Sequence, residues 1–231
     1  MAFIIDSSIS IRENNPKDGS YDNWQLIKEF VNRTVSQLQV GHDATRVSVI
    51  HYATSVHTQQ VLTLDAGTSA AGVANRVNEL EYLDGNTNTA AALAYVTDSI
   101  FNGARGDRAN IKNYGVLITD GLSNIQQERT AREAVRAKNS GIDLFTIGVT
   151  NYADESELSE IASDPTGFYY LHVDFYNQLN SVVDQLLGRI CTAGPPPKTR
   201  KYTHIPSIVC SMQLLVIAYV MAELEQHALY V

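Results

Sequence analysis

Three segments of the chain carry oxygen-donating side chains next to runs of apolar residues. The first follows the apolar run 2–5, the second precedes a helical pattern, and the third follows the apolar run 114–119. The donor residues of these segments are Asp6, Ser8, Ser10, Thr87 and Asp120. Carboxylate and hydroxyl oxygens suit a hard divalent cation, which in the case of magnesium usually retains several waters. The residue types therefore predict a magnesium or manganese site.

The spacing of the donors supports this prediction. Alternation of Asp6, Ser8 and Ser10 lets a tight loop direct three side chains inward, while Thr87 and Asp120 approach from separate segments. Alternatively, each Asp or Ser only caps the helix that follows its strand. A single loop would favour capping, whereas three converging loops favour a cation site. We assign Thr87 rather than Thr89 to this site, because the Thr89 hydroxyl is expected to cap the helix through 90–93.

The elements that position these donors alternate between strands and helices. The strand candidates are apolar throughout, which is typical of a parallel sheet covered by helices on both faces. They are 2–5, 47–52, 61–64, 114–119, 144–149 and 168–172. Because 61–64 follows 47–52 too closely for a crossover helix, this pair is predicted to form an antiparallel edge. The fold class is α/β, a doubly wound and mainly parallel sheet, in which ligands bind beyond the carboxyl ends of the strands.

Residues 1–192 are predicted to form one domain, followed by a linker at 193–204 and an apolar tail at 205–231. The linker begins with Gly194 and three prolines, which cannot continue a helix, and is basic from Lys198. Within the tail, 205–222 is at the lower limit for crossing a bilayer, about 17 residues. The basic cluster before it would place the domain in the cytoplasm by the positive-inside rule. A poorly ordered or non-native tail is the alternative.

Composition and motifs argue against other functions. The net charge is −8 and the basic residues form no patch, which argues against a nucleic-acid partner. Two cysteines cannot form a disulfide scaffold or a zinc cluster. A phosphatase of the haloacid dehalogenase type would need a second Asp where Ser8 stands, and neither an esterase elbow nor a phosphate loop occurs. We predict that the protein is not an enzyme.

The donor pattern resembles the metal-ion-dependent adhesion site of the von Willebrand factor type A family. That pattern is Asp-x-Ser-x-Ser, then Thr, then Asp. Further segments resemble the branch found in matrilins and collagen-associated proteins, and the likeness spans residues 2 to about 192. They are 23–31, 46–50, 116–121, 147–149 and 158–163. The resemblance implies a Rossmann-like fold and an adhesion module that binds a partner's acidic group through the cation.

The resemblance also implies a role for each donor. Ser8 and Ser10 would bind the cation directly, Thr87 directly or through water, and Asp6 and Asp120 mainly through water. The expected partner is an extracellular matrix protein, collagen-like proteins included, or a receptor; alternatively, the cation only stabilises the loops of a structural matrix module. Two positions depart from the family pattern, because Ile9 and Asn86 stand where glycine is frequent.

Other features bear on location. Asn32 belongs to a glycosylation sequon on the polar side of the first helix, where it would be accessible in a secreted protein. The resemblance implies that Cys191 pairs with a cysteine upstream of Met1. No signal peptide precedes the first strand, so either the protein is intracellular or the chain is a fragment. The sequon, the resemblance and the expected partner of Cys191 favour a secreted protein whose N-terminal part is missing from this chain. The integrin-recognition tripeptide at 105–107 is interpreted as a chance match.

Overall fold

The computed structural model describes residues 1–191. The predicted linker at 193–204 and the predicted tail at 205–231 lie outside the described residues, so their assignments stay predictions. Within residues 1–191, no helix is both long enough and apolar enough to span a bilayer.

Five parallel strands form the sheet, in the order β2-β1-β3-β4-β5. They are β1 (Ala2–Asp6), β2 (Ser48–Tyr52), β3 (Asn113–Thr119), β4 (Ile142–Val149) and β5 (Tyr170–Val173). Strand β1 lies between β2 and β3, with Ile4 paired to Ile50 on one side and to Leu117 on the other. Chain order therefore reverses beside β1, which is the position where doubly wound sheets bind ligands.

Eight helices connect and cover the strands within the described residues. They are α1 (Ile9–Glu13), α2 (Asn23–Ser36), α3 (Ala70–Glu79), α4 (Thr89–Tyr95), α5 (Thr130–Asn139), α6 (Glu155–Ile161), α7 (Thr166–Tyr169) and α8 (Val183–Cys191). Side chains cap several of them: Asp22 accepts from the Trp24 amide at the start of α2, and Asp154 accepts from the Glu157 amide at the start of α6. Such caps satisfy amides that have no partner within the helix.

The sheet separates two hydrophobic cores, because alternate strand residues point to opposite faces. Phe3 and Ile5 pack with α2, α3 and α8, whereas Ala2 and Ile4 pack with α4, α5 and α6. Both faces are thus covered by helices, as the uniformly apolar strands predicted. The cores hold the strands in register and so fix where each strand ends.

The antiparallel edge is shorter than the sequence predicts. Its direction is right, but it is reduced to a single bridge between Val49 and Leu62. Beyond Leu62 the chain turns back on itself, since the amides of Ala66 and Gly67 both donate to the Thr63 carbonyl. A side chain at Gly67 would collide with the Val47 carbonyl oxygen, 1.6 Å from the position of its Cβ. This tight turn prevents the ladder from extending into a strand.

His51 is a buried polar residue inside β2. Neither of its ring nitrogens has a hydrogen-bond partner among the described residues, and its ring packs between Trp24 and His57. Burial, with a smaller contribution from the charge of His57, lowers the pKa of His51 to about 4. In the unfolded chain, the His51 imidazole is protonated near its ordinary pKa of 6.5, whereas in the folded chain it is protonated only near pH 4. His51 therefore lowers the free energy of unfolding as the pH falls from 6.5 to about 4.

We expect His51→Leu to remove this acid sensitivity. Urea unfolding at pH 7 and pH 5 should show that the wild-type protein loses about 1–2 kcal/mol more stability between the two values than the variant does. The exposed His42 provides the control, because His42→Gln should retain the wild-type difference. An equal loss in the wild type and in His51→Leu would contradict the assignment.

Candidate metal centre

The candidate site lies at the carboxyl ends of β1 and β3, the two strands that meet where the chain order reverses. Asp6 is the last residue of β1, and Asp120 directly follows β3. Both side chains are fully buried. Two carboxylates at neighbouring strand ends repel one another in a medium that screens charge poorly.

Neutral groups hold Asp6 in place. Its Oδ1 accepts from the Ser8 amide at 2.8 Å, and its Oδ2 accepts from the Thr119 hydroxyl at 2.6 Å. Burial, followed by the charge of Asp120, raises the pKa of Asp6 to about 6, although these hydrogen bonds lower it. The carboxylate therefore has no positively charged hydrogen-bond partner among the described residues.

Asp120 is linked to the serines of the first loop. Its Oδ1 accepts from the Ser10 hydroxyl at 2.6 Å, and the Ser10 and Ser8 hydroxyl oxygens lie 3.1 Å apart. Its Oδ2 accepts from the side-chain amide of Asn14 at 2.9 Å. Four of the five predicted donors, Asp6, Ser8, Ser10 and Asp120, therefore belong to one hydrogen-bonded cluster.

The loop of Thr87 joins the other two loops through its backbone. On one side, the Ile9 amide donates to the Gly85 carbonyl at 2.9 Å. On the other side, Thr87 and Asn124 exchange two hydrogen bonds: the Thr87 amide donates to Asn124 Oδ1, and the Asn124 amide donates to the Thr87 carbonyl, both at 2.9 Å. The Thr87 side chain is buried, and its hydroxyl makes no hydrogen bond to another described residue. The three loops thus converge as predicted.

Thr89 does not cap helix α4, so that prediction is wrong. Asn88 is the capping residue, because its Oδ1 accepts from the Ala91 amide at 3.0 Å. The Thr89 hydroxyl instead lies 3.1 Å from the Tyr52 hydroxyl in the interior. This contact occupies the Thr89 hydroxyl in the core, so the assignment of Thr87 to the site stays a prediction.

The two departures from the family pattern do not intrude on the cluster. Ile9 and Asn86 are both exposed, and neither side chain contributes a hydrogen bond to Asp6 or Asp120. Asp84 and Gly85 adopt positive φ angles of 63° and 94°, which turn the chain ahead of Asn86. A glycine at either departing position is therefore not required for the loops to meet.

Sequence reasoning missed three residues that touch the site. Thr119 and Asn14 orient the two carboxylates through the hydrogen bonds described above. Tyr176 lies beside Asp120 without a hydrogen bond of good geometry to any described residue, and burial together with the charge of Asp120 raises its pKa well above the ordinary value. Thr119 could have been found from its position directly before Asp120, whereas no local signal marks Asn14 or Tyr176.

The donor set fits a hard divalent cation. The cluster offers hydroxyl and carboxylate oxygens, and the hydrogen-bond partners of both carboxylates are neutral. A cation at this position would offset the repulsion between Asp6 and Asp120. A cation-bound water would also give the buried Tyr176 hydroxyl a hydrogen-bond partner, which buried polar groups normally have.

Comparison with known proteins shows the family of this chain. The family model described as "von Willebrand factor type A domain" matches residues 1–185. The chain belongs to the von Willebrand factor type A domain family. Matrilin-1 of Gallus gallus is 31% identical over 196 residues, covering 85% of this chain and 37% of the relative. The collagen alpha-1(XII) chain of Notophthalmus viridescens is 29% identical over 209 residues, covering 82% of this chain and 22% of the relative.

Solved structures share the fold of this von Willebrand factor type A domain. One of them is proximal thread matrix protein 1 from the mussel byssus, solved with zinc in its MIDAS motif, the abbreviation for metal-ion-dependent adhesion site. It aligns with a TM-score of 0.71 at 22% identity, covering 81% of this chain and 46% of that one. The Rossmann-like α/β architecture is therefore confirmed. The chain spans about a third or less of the lengths of the matrilin and collagen relatives.

Two predicted modification sites lie away from the centre. The Asn32 side chain is half-buried, and its Nδ2 donates to Asn78 Oδ1 at 2.9 Å, so the atom that would carry a glycan is already engaged. The accessibility of Asn32 in a secreted protein and its glycosylation both stay predictions. Cys191 ends α8 and is disulfide-bonded to a partner outside the described residues, where the chain's other cysteine, Cys210, also lies. A partner upstream of Met1 stays a prediction.

The tripeptide 105–107 precedes the amino end of β3, opposite the metal centre. Its backbone is held against the domain: the Arg105 carbonyl accepts from the Asp65 amide at 3.1 Å, and the Gly106 carbonyl accepts from the Arg46 guanidinium at 2.8 Å. Gly106 has a φ of 92°, and an added Cβ would lie 2.3 Å from the Asp65 nitrogen. This loop is anchored rather than presented as a free tip.

We therefore expect Asp107→Glu to leave cell attachment to the immobilised domain unchanged. The reason is that integrin recognition of the tripeptide would require a free loop, whereas this one is anchored at Arg105 and Gly106. Counting cells attached to the wild type and the variant checks this, with an Arg-Gly-Asp peptide as the positive control. A clear loss of attachment caused by the variant would show that the tripeptide is recognised.

Proposed function

We propose that this domain binds magnesium or manganese at the centre formed by Asp6, Ser8, Ser10, Thr87 and Asp120, and uses the cation to bind an acidic group of a protein partner. The main observation behind this proposal is that the two buried carboxylates, Asp6 and Asp120, accept hydrogen bonds only from neutral donors. Buried charges without an opposite charge are costly, so this arrangement favours a bound cation.

The residues divide into two roles in this proposal. Ser8, Ser10 and Thr87 would hold the cation through neutral hydroxyl oxygens. Asp6 and Asp120 would act mainly through cation-bound water, since existing hydrogen bonds already orient both of their oxygens. With few direct carboxylate ligands, the cation retains positive charge, and a partner's carboxylate can complete its coordination with a strong charge-assisted contact.

The proposed partner is an extracellular matrix protein, with collagen-like proteins included, or a receptor. Similarity to matrilins and to a collagen chain supports this setting and a secreted location. The net charge of −8 supports a protein partner over nucleic acid. The absence of enzymatic activity stays a prediction based on the motifs.

A second candidate is a structural matrix module in which the cation only stabilises the loops. The observation that favours it is the repulsion between Asp6 and Asp120, because a cation would offset this repulsion whether or not a partner binds. The two functions differ in what removal of the cation does to the fold.

Chelation separates the two candidates. The immobilised domain is exposed to a panel of matrix proteins in magnesium and then in EDTA, while circular dichroism monitors the fold. Under the adhesion proposal, EDTA releases a bound matrix protein and the spectrum is retained. Unfolding in EDTA with no cation-dependent partner would support the structural module instead.

A further inference from the structure

The carboxyl edge of the sheet carries a row of exposed apolar side chains that the proposed cation site does not use. Leu122 follows β3, Tyr152 follows β4 and Phe175 follows β5, with exposed fractions of 39%, 74% and 58%. These three strands are adjacent in the sheet. We refer to Leu122, Tyr152 and Phe175 as the apolar strip. Exposed apolar groups placed together at one edge are typical of an interaction surface.

The strip is continuous with the candidate metal centre. Leu122 lies two positions after Asp120 in the same loop, so the strip begins at the centre and runs toward β5. Hydrogen-bonded strands lie about 4.8 Å apart, and β4 lies between β3 and β5. The carboxyl ends of β3 and β5, where the two loops begin, are therefore separated by about 10 Å. An extended peptide rises about 3.3 Å per residue, so about three residues cover this distance.

Charge further defines what can cover the strip. The loops 121–126, 150–154 and 174–175 contain Asp154 and Asp174 but neither lysine nor arginine. Arg129, in the helical turn after the first of these loops, is paired with Glu133. Asp174 is exposed, and so is Glu155, which directly follows Asp154. A partner segment that lies on the strip therefore meets apolar side chains flanked by negative charge, which favours lysine or arginine in that segment.

We infer that the apolar strip docks an extended segment of a protein partner. One residue of this segment binds the cation through its carboxylate. A large apolar side chain follows about three residues later, and a basic residue comes after it. The inference rests on the proposed function, because the carboxylate is what places the segment beside the strip. The apolar contact supplies binding energy, and the acidic flank selects against segments with further negative charge.

A displayed library of random twelve-residue peptides tests this inference. Peptides are captured in magnesium by the wild-type domain and eluted with EDTA, and the same selection is run on Leu122→Ser/Phe175→Ser. Val135→Ser is the matched control, because the exposure of Val135, 50%, lies between those of Leu122 and Phe175, and Val135 lies on α5, away from the carboxyl edge. Circular dichroism and calorimetric magnesium titration verify that all three proteins fold and bind the cation alike.

We expect the wild type and Val135→Ser to enrich peptides that carry an acidic residue, an apolar residue about three positions away and a basic residue. The double variant should still enrich the acidic residue but should lose the apolar preference, while the unchanged acidic flank still favours a basic residue. The best wild-type peptide should bind the double variant at least about tenfold more weakly, because burial of Leu or Phe side chains contributes most of the added affinity. Its affinity for Val135→Ser should change by less than about twofold.

Three results would overturn the inference. Acidic peptides without an apolar preference would refute the strip while leaving cation-dependent binding intact. No EDTA-eluted peptides from the wild type would refute the proposed function and this inference with it. Sedimentation of the wild type as a dimer in magnesium, and of the double variant as a monomer, would show that a second copy of the chain covers the strip.

Discussion

Replacement of Asp120 by alanine is expected to abolish divalent-cation binding while the domain remains folded. Asp120 accepts hydrogen bonds from Ser10 and Asn14, so its loss removes both a charge and the partner that orients a site hydroxyl. Loss of an outer partner of a metal typically lowers affinity by about 10–100-fold. Because Asp120 is charged and links two loops, we expect at least about a 100-fold loss by calorimetric magnesium titration.

The cation-free fold should change little. Removing Asp120 leaves two donors unpaired but also removes the main charge that repels Asp6, so the free energy of unfolding in EDTA should change by less than about 2 kcal/mol. Asp120→Asn retains the side-chain volume and separates loss of charge from loss of packing. Asp43→Ala is the matched control, since Asp43 is exposed and precedes the opposite end of β2. Unchanged magnesium affinity in Asp120→Ala would refute the site.

Thr87→Ala is expected to weaken magnesium binding by at least about tenfold, because the hydroxyl proposed to hold the cation, directly or through water, is lost. The effect on folding should be small, since this hydroxyl makes no hydrogen bond to another described residue and the backbone hydrogen bonds to Asn124 remain. Calorimetric titration at limiting magnesium and urea unfolding in EDTA provide the two measurements.

Thr89→Ala should show the opposite pattern. Its hydroxyl contacts Tyr52 in the interior, so the variant should lose about 1–2 kcal/mol of stability and retain wild-type magnesium affinity. The pair serves as an internal control, since the two threonines differ by only two positions in the chain. Equal magnesium affinity in the wild type and Thr87→Ala, combined with a loss in Thr89→Ala, would transfer the role to Thr89.

The donors themselves could be predicted from local sequence. Asp6 and Asp120 each follow an apolar strand, and parallel strands bring their carboxyl ends to one edge of a sheet. The alternation of Ser8 and Ser10 after Asp6 marks a donor loop in the same way. Thr87 was assigned from its polar loop before a helix and from the expected capping role of Thr89, and the family resemblance agreed with that choice.

The errors arose where a residue's partner is distant in sequence or where two neighbours compete for one role. Thr89 was expected to cap α4, but Asn88 lies one position earlier and takes that role, while Tyr52 engages the Thr89 hydroxyl. The strand predicted at 61–64 ends after one bridge, because the turn at Gly67 approaches the Val47 carbonyl too closely. Neither the identity of the cap nor the tight approach could be read from apolar patterning.

Residue chemistry and strand periodicity by themselves predicted the parallel sheet, the edge that carries the candidate site and the oxygen donors proposed for it, because these depend on short-range patterns. Only the tertiary structure decided that Thr119 and Asn14 orient the two carboxylates and that Leu122, Tyr152 and Phe175 form one row. Those relationships depend on which strands are neighbours, and strand order is decided by the packing of helices on both faces of the sheet.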